Sequence, residues 1–271
     1  MASTNTSFVG SIPHNYDHYM GPVMFEPYAA DIVSRLRVPA SGRVLEVACG
    51  TGIVTRRMRQ ELPASVTILA TDLNQPMLDY AGAKPGMLPG VEWRQADACA
   101  LPFPDQSFDA VVCQFGLMFV PDRTLALAEA RRVLRAGGQL LLSVWDSMEC
   151  NPFTLVAHTT VASLYPVDPP LFFAVPFSMG DRAALETMAT AAGFESVSGH
   201  TVTLQGMSPS ARSLATGLVE GSPLSIQIRD RAVPTIEVVV DQVTEALARL
   251  GGDSPFRCTL QAHLIDGRVA G

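Results

Sequence analysis

The chain reads as an α/β protein built on a doubly wound sheet, and three observations predict it. A short apolar strand, Val44 to Val47, enters a turn of small residues, Ala48 to Gly52, and then the helical spacing of Ile53 to Leu62. A second apolar strand, Val66 to Thr71, ends at Asp72, 20 residues beyond Gly52. A third segment, Val91 to Asp97, precedes the apolar strand Phe108 to Gln114. Strands and amphipathic helices in alternation build βαβ units, and open sheets of such units bind ligands at the carboxyl ends of their strands.

The first strand, turn and helix form a nucleotide-binding corner. Gly50 and Gly52 lack a β-carbon, so they accept positive φ and let a ligand approach the main chain. The helix beyond adds unpaired N–H groups, which suit a polar ligand without any basic side chain. The next strand delivers Asp72 to the place where a carboxylate meets a ribose. An ionised aspartate accepts from both hydroxyls of a cis-diol, and bonds to a charged group contribute about 1.5–3 kcal/mol each. The competing role for Asp72 is to cap the helix over Gln75 to Ala83, a position Asn74 fills more directly.

Gly50-Thr51-Gly52 also resembles the start of a dinucleotide fingerprint, but Thr55 stands where its third glycine belongs. An isolated G-x-G is a weak signal. The segment after Val91 decides between the two ligands. VEWRQAD, then ALPFPDQSFDAVVCQFGLMFVPD over 100–122 and ARRVLRAGGQLLLSVW over 130–145, resembles the class I S-adenosylmethionine-dependent methyltransferases. More narrowly, it is similar to the small-molecule group that includes the ubiquinone/menaquinone biosynthesis methyltransferases. The resemblance runs from about Arg43 to Trp145.

The resemblance implies a Rossmann-like, seven-stranded sheet with its last strand antiparallel, plus helical cap insertions. It implies S-adenosyl-L-methionine as cofactor. Glu46, Ala48, Gly50 and Gly52 would surround the methionine part, and Asp72 would hold the ribose. Leu73 and Met77 would flank the adenine ring, Asp97 would accept from its amino group, and the Ala98 main-chain N–H would reach a ring nitrogen. Gln114 and Phe115 would close the methionine end through the main chain. Glu46 replaces the aspartate of many relatives, a common exchange.

With 271 residues, 48% of them hydrophobic, the chain exceeds a minimal doubly wound domain, so part of it is an addition. A net charge of −7, with basic residues only in short helical clusters such as Arg56, Arg57 and Arg59, argues against nucleic acid as partner. No basic leader and no apolar run of membrane-spanning length is visible, so a cytoplasmic protein without membrane insertion is expected. The five cysteines, Cys49, Cys99, Cys113, Cys150 and Cys258, are scattered without metal-ligand spacing and read as reduced core residues.

The organisation expected is one domain over 1–271, with an amino-terminal lid (1–30), a cofactor core (43–146) and two substrate-cap insertions (147–180 and 207–253). The lid carries Tyr16 and Tyr19, expected on the cofactor, and Phe25 and Tyr28, which suit a lid or a helix stripe equally. Asp181 opens a helix to Ala192, Ser196 to Leu204 alternates as a strand, and Ser208 opens a helix to about Glu220. Pro234 starts a helix to Leu250, and Phe256 to Ile265 is a last strand.

Met118, Phe119, Phe153, Tyr165, Phe172, Phe173 and Met179, with few charges among them, suggest an apolar acceptor pocket. Methyl transfer needs mainly alignment, and a base only where the acceptor loses a proton early. No catalytic dyad is visible; His14, His18 and His158 are the candidates for a base, while His200 and His263 fall on late strands. The acceptor atom, oxygen, nitrogen or carbon, stays open. Two alternatives remain beside a small-molecule methyltransferase: a non-catalytic cofactor-binding protein and an NAD-dependent oxidoreductase.

Overall fold

The computed structural model describes residues 4–86, 88–231 and 233–271. From the amino terminus, a short helix α1 (Ile12–Asn15) leads into a π-helix (Tyr16–Phe25) and then into α2 (Glu26–Ser34). The core follows as β1 (Arg43–Val47), α3 (Ile53–Glu61), β2 (Thr67–Asp72), α4 (Gln75–Ala83), β3 (Val91–Gln95), β4 (Phe108–Gln114), α5 (Arg123–Val133) and β5 (Leu134–Trp145). The remainder is α6 (Pro152–Leu164), α7 (Arg182–Ala191), β6 (Glu195–Ser208), α8 (Ala211–Glu220), α9 (Leu224–Arg231), α10 (Ile236–Gly251) and β7 (Phe256–Arg268).

The strands form one sheet in the order β3-β2-β1-β4-β5-β7-β6. β1 pairs in parallel with β2 and β4, so the order reverses between the first and fourth strands. Loops leaving β1 and β4 therefore diverge, which opens the crevice that a doubly wound sheet offers a ligand. β7 is antiparallel to β5, as the resemblance implies, with Ser143 opposite Leu264. β1, β2 and β4 are buried along nearly their whole length, which is why their sequences are continuous apolar runs rather than alternations.

The chain divides into two compact units. One comprises Tyr28–Trp145, Met179–Val202 and Ala262–Gly271. In it, Ala29, Ile32 and Val33 of α2 and Met58 of α3 pack on Val44, Ile68, Ala110, Val112 and Leu141 of the sheet. Asp122 caps α5 by accepting from Leu125 N at 2.9 Å, and Asp181 caps α7 by accepting from Ala184 N at 3.1 Å. The expected helix and strand starts in this unit agree with these bounds to within a residue or so.

The other unit comprises the amino-terminal segment to Pro27, Asp146–Ser178 and Thr203–Gln261. Here α10 packs on α6 and α8. Ser210, not Ser208, caps α8: its hydroxyl accepts from Ser213 N at 3.0 Å, while the Ser208 hydroxyl donates to the Ser210 carbonyl. α9 has no counterpart in the sequence reading, because its eight residues, LSIQIRDR, carry too weak an apolar stripe to stand out. Pro22 lies inside the π-helix, where its missing N–H breaks the ordinary i→i−4 ladder. Among the described residues no helix is long and apolar enough to cross a membrane.

The π-helix lies close against α8. A β-carbon on Gly217 would be 2.8 Å from Tyr19 Cβ, and one on Gly221 would be 2.8 Å from Tyr16 N. Overpacking of such a contact costs about 1–3 kcal/mol. Gly217→Val should therefore lower the melting temperature by roughly 2–10 °C. The helical Gly82, with nothing within 4 Å of a built β-carbon, supplies the control, and Gly82→Ala should leave the melting temperature unchanged or raise it.

Candidate functional site

The site is built from the carboxyl ends of β1, β2, β3 and β4, all within the sheet-bearing unit. The turn after β1 takes left-handed conformations at Ala48 (φ 56°), Gly50 (φ 54°) and Gly52 (φ 77°). The two glycines serve different ends. A β-carbon at Gly50 would meet only Met77 Cε, at 4.0 Å, so this side of the turn is open. At Gly52 it would sit 2.6 Å from Cη2 of Trp93, so hydrogen is required there for β3 to close on α3. The turn is pinned by Cys49 N donating to the Thr71 carbonyl at 2.9 Å and Gly52 N to the Cys49 carbonyl at 2.9 Å.

Asp72 is 7% exposed and ties this turn to the end of β2. Its Oδ2 accepts from Gly50 N at 2.8 Å and its Oδ1 from Asn74 N at 2.8 Å. Burial pushes its pKa up, and the Asn74 and Gly50 donors pull it back in part. The capping alternative is met halfway: Asn74 occupies the N-cap of α4, and Asp72 holds the Asn74 main chain.

Glu46 lies one strand over, opposite Ala70 of β2 and Val112 of β4. It is 2% exposed. Its carboxyl accepts from the hydroxyl of Thr55, itself wholly buried. Thr55 is thus more than the residue that replaces a third glycine; it is the donor that the Glu46 carboxyl needs. Burial pushes Glu46 up to about 8, with Thr55 and the nearby Arg56 pulling down and Asp72 pushing up.

On the adenine side of the expected site, Leu73 is 49% exposed and Met77 is buried. Asp97 is exposed, and its Oδ1 accepts from Cys99 N at 2.8 Å, forming the turn that carries the half-buried Ala98. At the end of β4, Phe115 has φ 54° and donates its N–H to the Ser143 carbonyl at 2.9 Å. Its ring stacks on Trp145 (centroids 3.9 Å apart, 2° between planes), and Tyr28 meets both rings edge-on at 5.3 Å. Gly116 follows; a β-carbon there would be 2.5 Å from Ala48 Cβ. Met118 and Met179 are buried and Phe119 half-buried. Sequence reasoning missed Trp93 and Gly116, whose importance lies in contacts with the turn after β1 that no local pattern encodes.

The remaining expected residues belong to the other unit. Tyr16 stacks on Phe25 at 4.5 Å, and Tyr19 meets His18 edge-on at 4.7 Å. Phe25 in that unit and Tyr28, the first residue of the sheet-bearing unit, are both buried, as a helix stripe would be. Phe153, Tyr165, Phe172 and Phe173 are buried, and the Tyr165 hydroxyl donates to the Pro234 carbonyl at 3.0 Å. His158 lies edge-on to Phe173 at 6.4 Å, and its buried Nδ1 has no hydrogen-bond partner among the described residues. His14 stacks on His18 at 5.6 Å. In the sheet-bearing unit, His263 is a satisfied core histidine, bonded to Thr201 and the Gly180 carbonyl. Burial pushes the Cys113 thiol up to about 12 and the Cys49 thiol well up, so neither is a reactive thiolate.

Two expectations follow. Gly52→Ala should fold less stably and lose ligand affinity, since the new methyl group displaces Trp93 and strains a left-handed turn; thermal melts and titration read both. Glu46 also makes stability depend on pH. The folded chain keeps its proton up to about pH 8, while an unfolded glutamate releases it near 4.5. The folded state therefore binds more protons in this window and loses stability as pH rises through it. Relative to Glu46→Gln, the unliganded wild type should lose melting temperature steadily between pH 5 and 8, and the difference should level off above that.

A family profile described as "Methyltransferase domain" matches residues 45–142. The ubiquinone/menaquinone biosynthesis C-methyltransferase UbiE of Escherichia coli O1:K1 is 32% identical over 173 residues, covering 59% of this chain and 69% of that protein. The demethylmenaquinone methyltransferase of Lactobacillus johnsonii is 34% identical over 135 residues, 49% of this chain and 55% of its own. The UbiE protein of Geotalea uraniireducens is 32% identical over 143 residues, 52% and 61% respectively, so the chain spans less than two thirds of these last two relatives. The Haemonchus contortus phosphoethanolamine N-methyltransferase 2 structure with S-adenosyl-L-methionine superposes with TM-score 0.62 at 15% identity, over all of this chain and 61% of that one. The [4+2]-cyclase SpnF superposes with TM-score 0.58 at 21% identity, over 91% and 82%. At such identities the two structures share the fold alone. The sequence relatives carry the assignment further: the chain belongs to the class I S-adenosylmethionine-dependent methyltransferase family.

Proposed function

We propose that the protein transfers a methyl group from S-adenosylmethionine to a small, apolar or aromatic metabolite by in-line displacement. One observation carries the reading: the Gly50 side of the turn after β1 is open, and Asp72 stands at its rim with a carboxylate 2.8 Å from the Gly50 N–H. That pairing suits a ribose diol approaching over bare main chain. The cofactor, when bound, supplies an electrophilic methyl group on a sulfonium sulfur. Asp72 would accept from the ribose hydroxyls, the exposed Leu73 and the buried Met77 would flank the adenine, and Asp97 with the Ala98 N–H would read its edge. Glu46, Ala48, Gly50, Gly52, Gln114 and Phe115 would hold the methionine end.

The apolar character of the acceptor rests on the uncharged side chains Met118, Phe119 and Met179, and on the aromatic run through Phe153, Tyr165, Phe172 and Phe173. The relatives are named for ubiquinone/menaquinone C-methylation and for methylation of demethylmenaquinone, which makes a prenylated phenol or quinol the first acceptor class to try. A non-catalytic S-adenosylmethionine-binding protein is the second reading, since fold alone does not establish methyl transfer: the [4+2]-cyclase SpnF shares this fold. An NAD-dependent reaction is disfavoured by Thr55, which occupies the third-glycine place and is committed to Glu46. The acidic net charge of −7 disfavours nucleic acid as acceptor.

Calorimetric titration with S-adenosylmethionine, S-adenosylhomocysteine and NAD should show binding of the first two alone, weakened about ten- to a hundredfold in Asp72→Ala. An acceptor screen over phenols and quinols should then yield methylated product. Saturable binding with no product from any acceptor would favour the second reading, and binding of NAD alone would defeat both.

A further inference from the structure

The connection from β3 to β4, residues 96–107, carries no helix, yet it holds the Asp97 carboxylate and the Ala98 N–H assigned above to the adenine edge. Its internal bonds are local. Cys99 N donates to Asp97 Oδ1 at 2.8 Å and Ala100 N to the Asp97 carbonyl at 3.0 Å, which shape the turn without fixing it to the rest of the unit. A long irregular connection keeps one shape only where groups outside it take up its main chain.

α5 does this through one guanidinium. Arg132 donates through Nη2 to the Leu101 carbonyl at 2.9 Å and through Nη1 to the Phe103 carbonyl at 2.8 Å. It also forks onto Glu129, with Nε on Oε1 at 2.7 Å and Nη2 on Oε2 at 2.8 Å, and its Nη1 meets Asp105 at 2.7 Å. All five N–H donors of the guanidinium are in use. Glu129 completes the grip, since its Oε2 accepts from Leu101 N at 2.8 Å. One ion pair therefore holds both the N–H and the carbonyl of Leu101.

Exposure ranks these partners. The Asp105 side chain is 73% exposed, so its pair contributes little, whereas Glu129 is 16% exposed. The buried Leu101 side chain and the Phe103 ring, edge-on to Phe108 at 5.3 Å, anchor the segment by their side chains and leave the setting of its main chain to Arg132.

Building on the methyltransferase reading and its adenine assignment, we propose that Arg132, seated on Glu129, is a positioning residue for base recognition: through Leu101 and Phe103 it fixes the segment that carries Asp97 and Ala98, and so sets how strictly the site demands adenine. In a fixed segment, the adenine amino group donates to Asp97 and a ring nitrogen accepts from the Ala98 N–H. Hypoxanthine turns a carbonyl oxygen towards the carboxylate and an N–H towards the N–H, two mismatches that a held segment cannot move away from. A released segment yields to either base, so adenine loses its advantage. Lysine cannot replace the fork, because its compact ammonium does not span two carbonyls and a carboxylate.

The test is calorimetric titration with S-adenosylhomocysteine and S-inosylhomocysteine, which differ only in the base, against the wild type, Arg132→Gln and Arg132→Lys. Circular dichroism checks that each variant folds. A general loosening of the protein weakens both ligands alike, so the ratio of the two affinities isolates the positioning role. The wild type should prefer the adenosyl ligand about a hundredfold, roughly a factor of ten for each mismatch. Arg132→Gln should cut that preference about tenfold, chiefly by weaker binding of S-adenosylhomocysteine, and Arg132→Lys should recover only part of it. An undiminished preference in either folded variant overturns the proposal and leaves the ion pair a structural tie; should the glutamine variant not fold, the lysine variant decides. Equal binding of the two ligands by the wild type would overturn the adenine assignment, and this proposal with it. Binding of neither would overturn the methyltransferase reading itself.

Discussion

The hydrogen bond from the Gly50 N–H to the Asp72 carboxylate is the contact on which the candidate site depends. It joins the turn after β1 to the end of β2, and so fixes the stretch of main chain that is left open at Gly50. Its geometry depends in turn on the parallel pairing of β1 with β2, where Val47 stands opposite Thr71. Cys49 N, bonded to the Thr71 carbonyl, extends that ladder by one step into the turn. The left-handed residues Ala48, Gly50 and Gly52 then let the chain reverse without leaving the sheet's edge.

Around this bond the two strand-end carboxyls divide their work through their environments rather than their chemistry. Asp72 has enough donors to carry charge in a buried place; Glu46 has one hydroxyl and burial on every side. Two acids a strand apart are tolerable because one of them can stay neutral. The contacts across β3 and β4 support the same turn from outside: Trp93 fills the space beside Gly52, and Gly116 leaves room for the Ala48 side chain. The stack of Phe115 on Trp145, with Tyr28 edge-on to both, fixes the end of β4 with a strained φ that a loose loop would not keep.

The alternation of apolar runs and helical spacings made the core strands and α3, α4 and α7 legible, and the Asp and Gly punctuation located their ends. Failures came where the signal was weak or ambiguous. Ser208 and Ser210 are equally good caps by composition, and only the hydrogen bond to Ser213 N tells them apart. α9 is short and polar, and the π-helix over Tyr16–Phe25 has no sequence signature beyond Pro22.

By itself, the sequence determined the alternating architecture, the glycine turn, the acidic residue 20 positions beyond it and the family they resemble, because each rests on local periodicity or on short spacing. Tertiary structure alone decided what each of these residues does to its neighbours. That Thr55 serves Glu46, that Gly52 yields to Trp93 and Gly116 to Ala48, and that one carboxyl is furnished with donors while the other is left neutral all arise from strands distant in sequence. Burial and donor count are properties of packing, and no single segment of chain carries them.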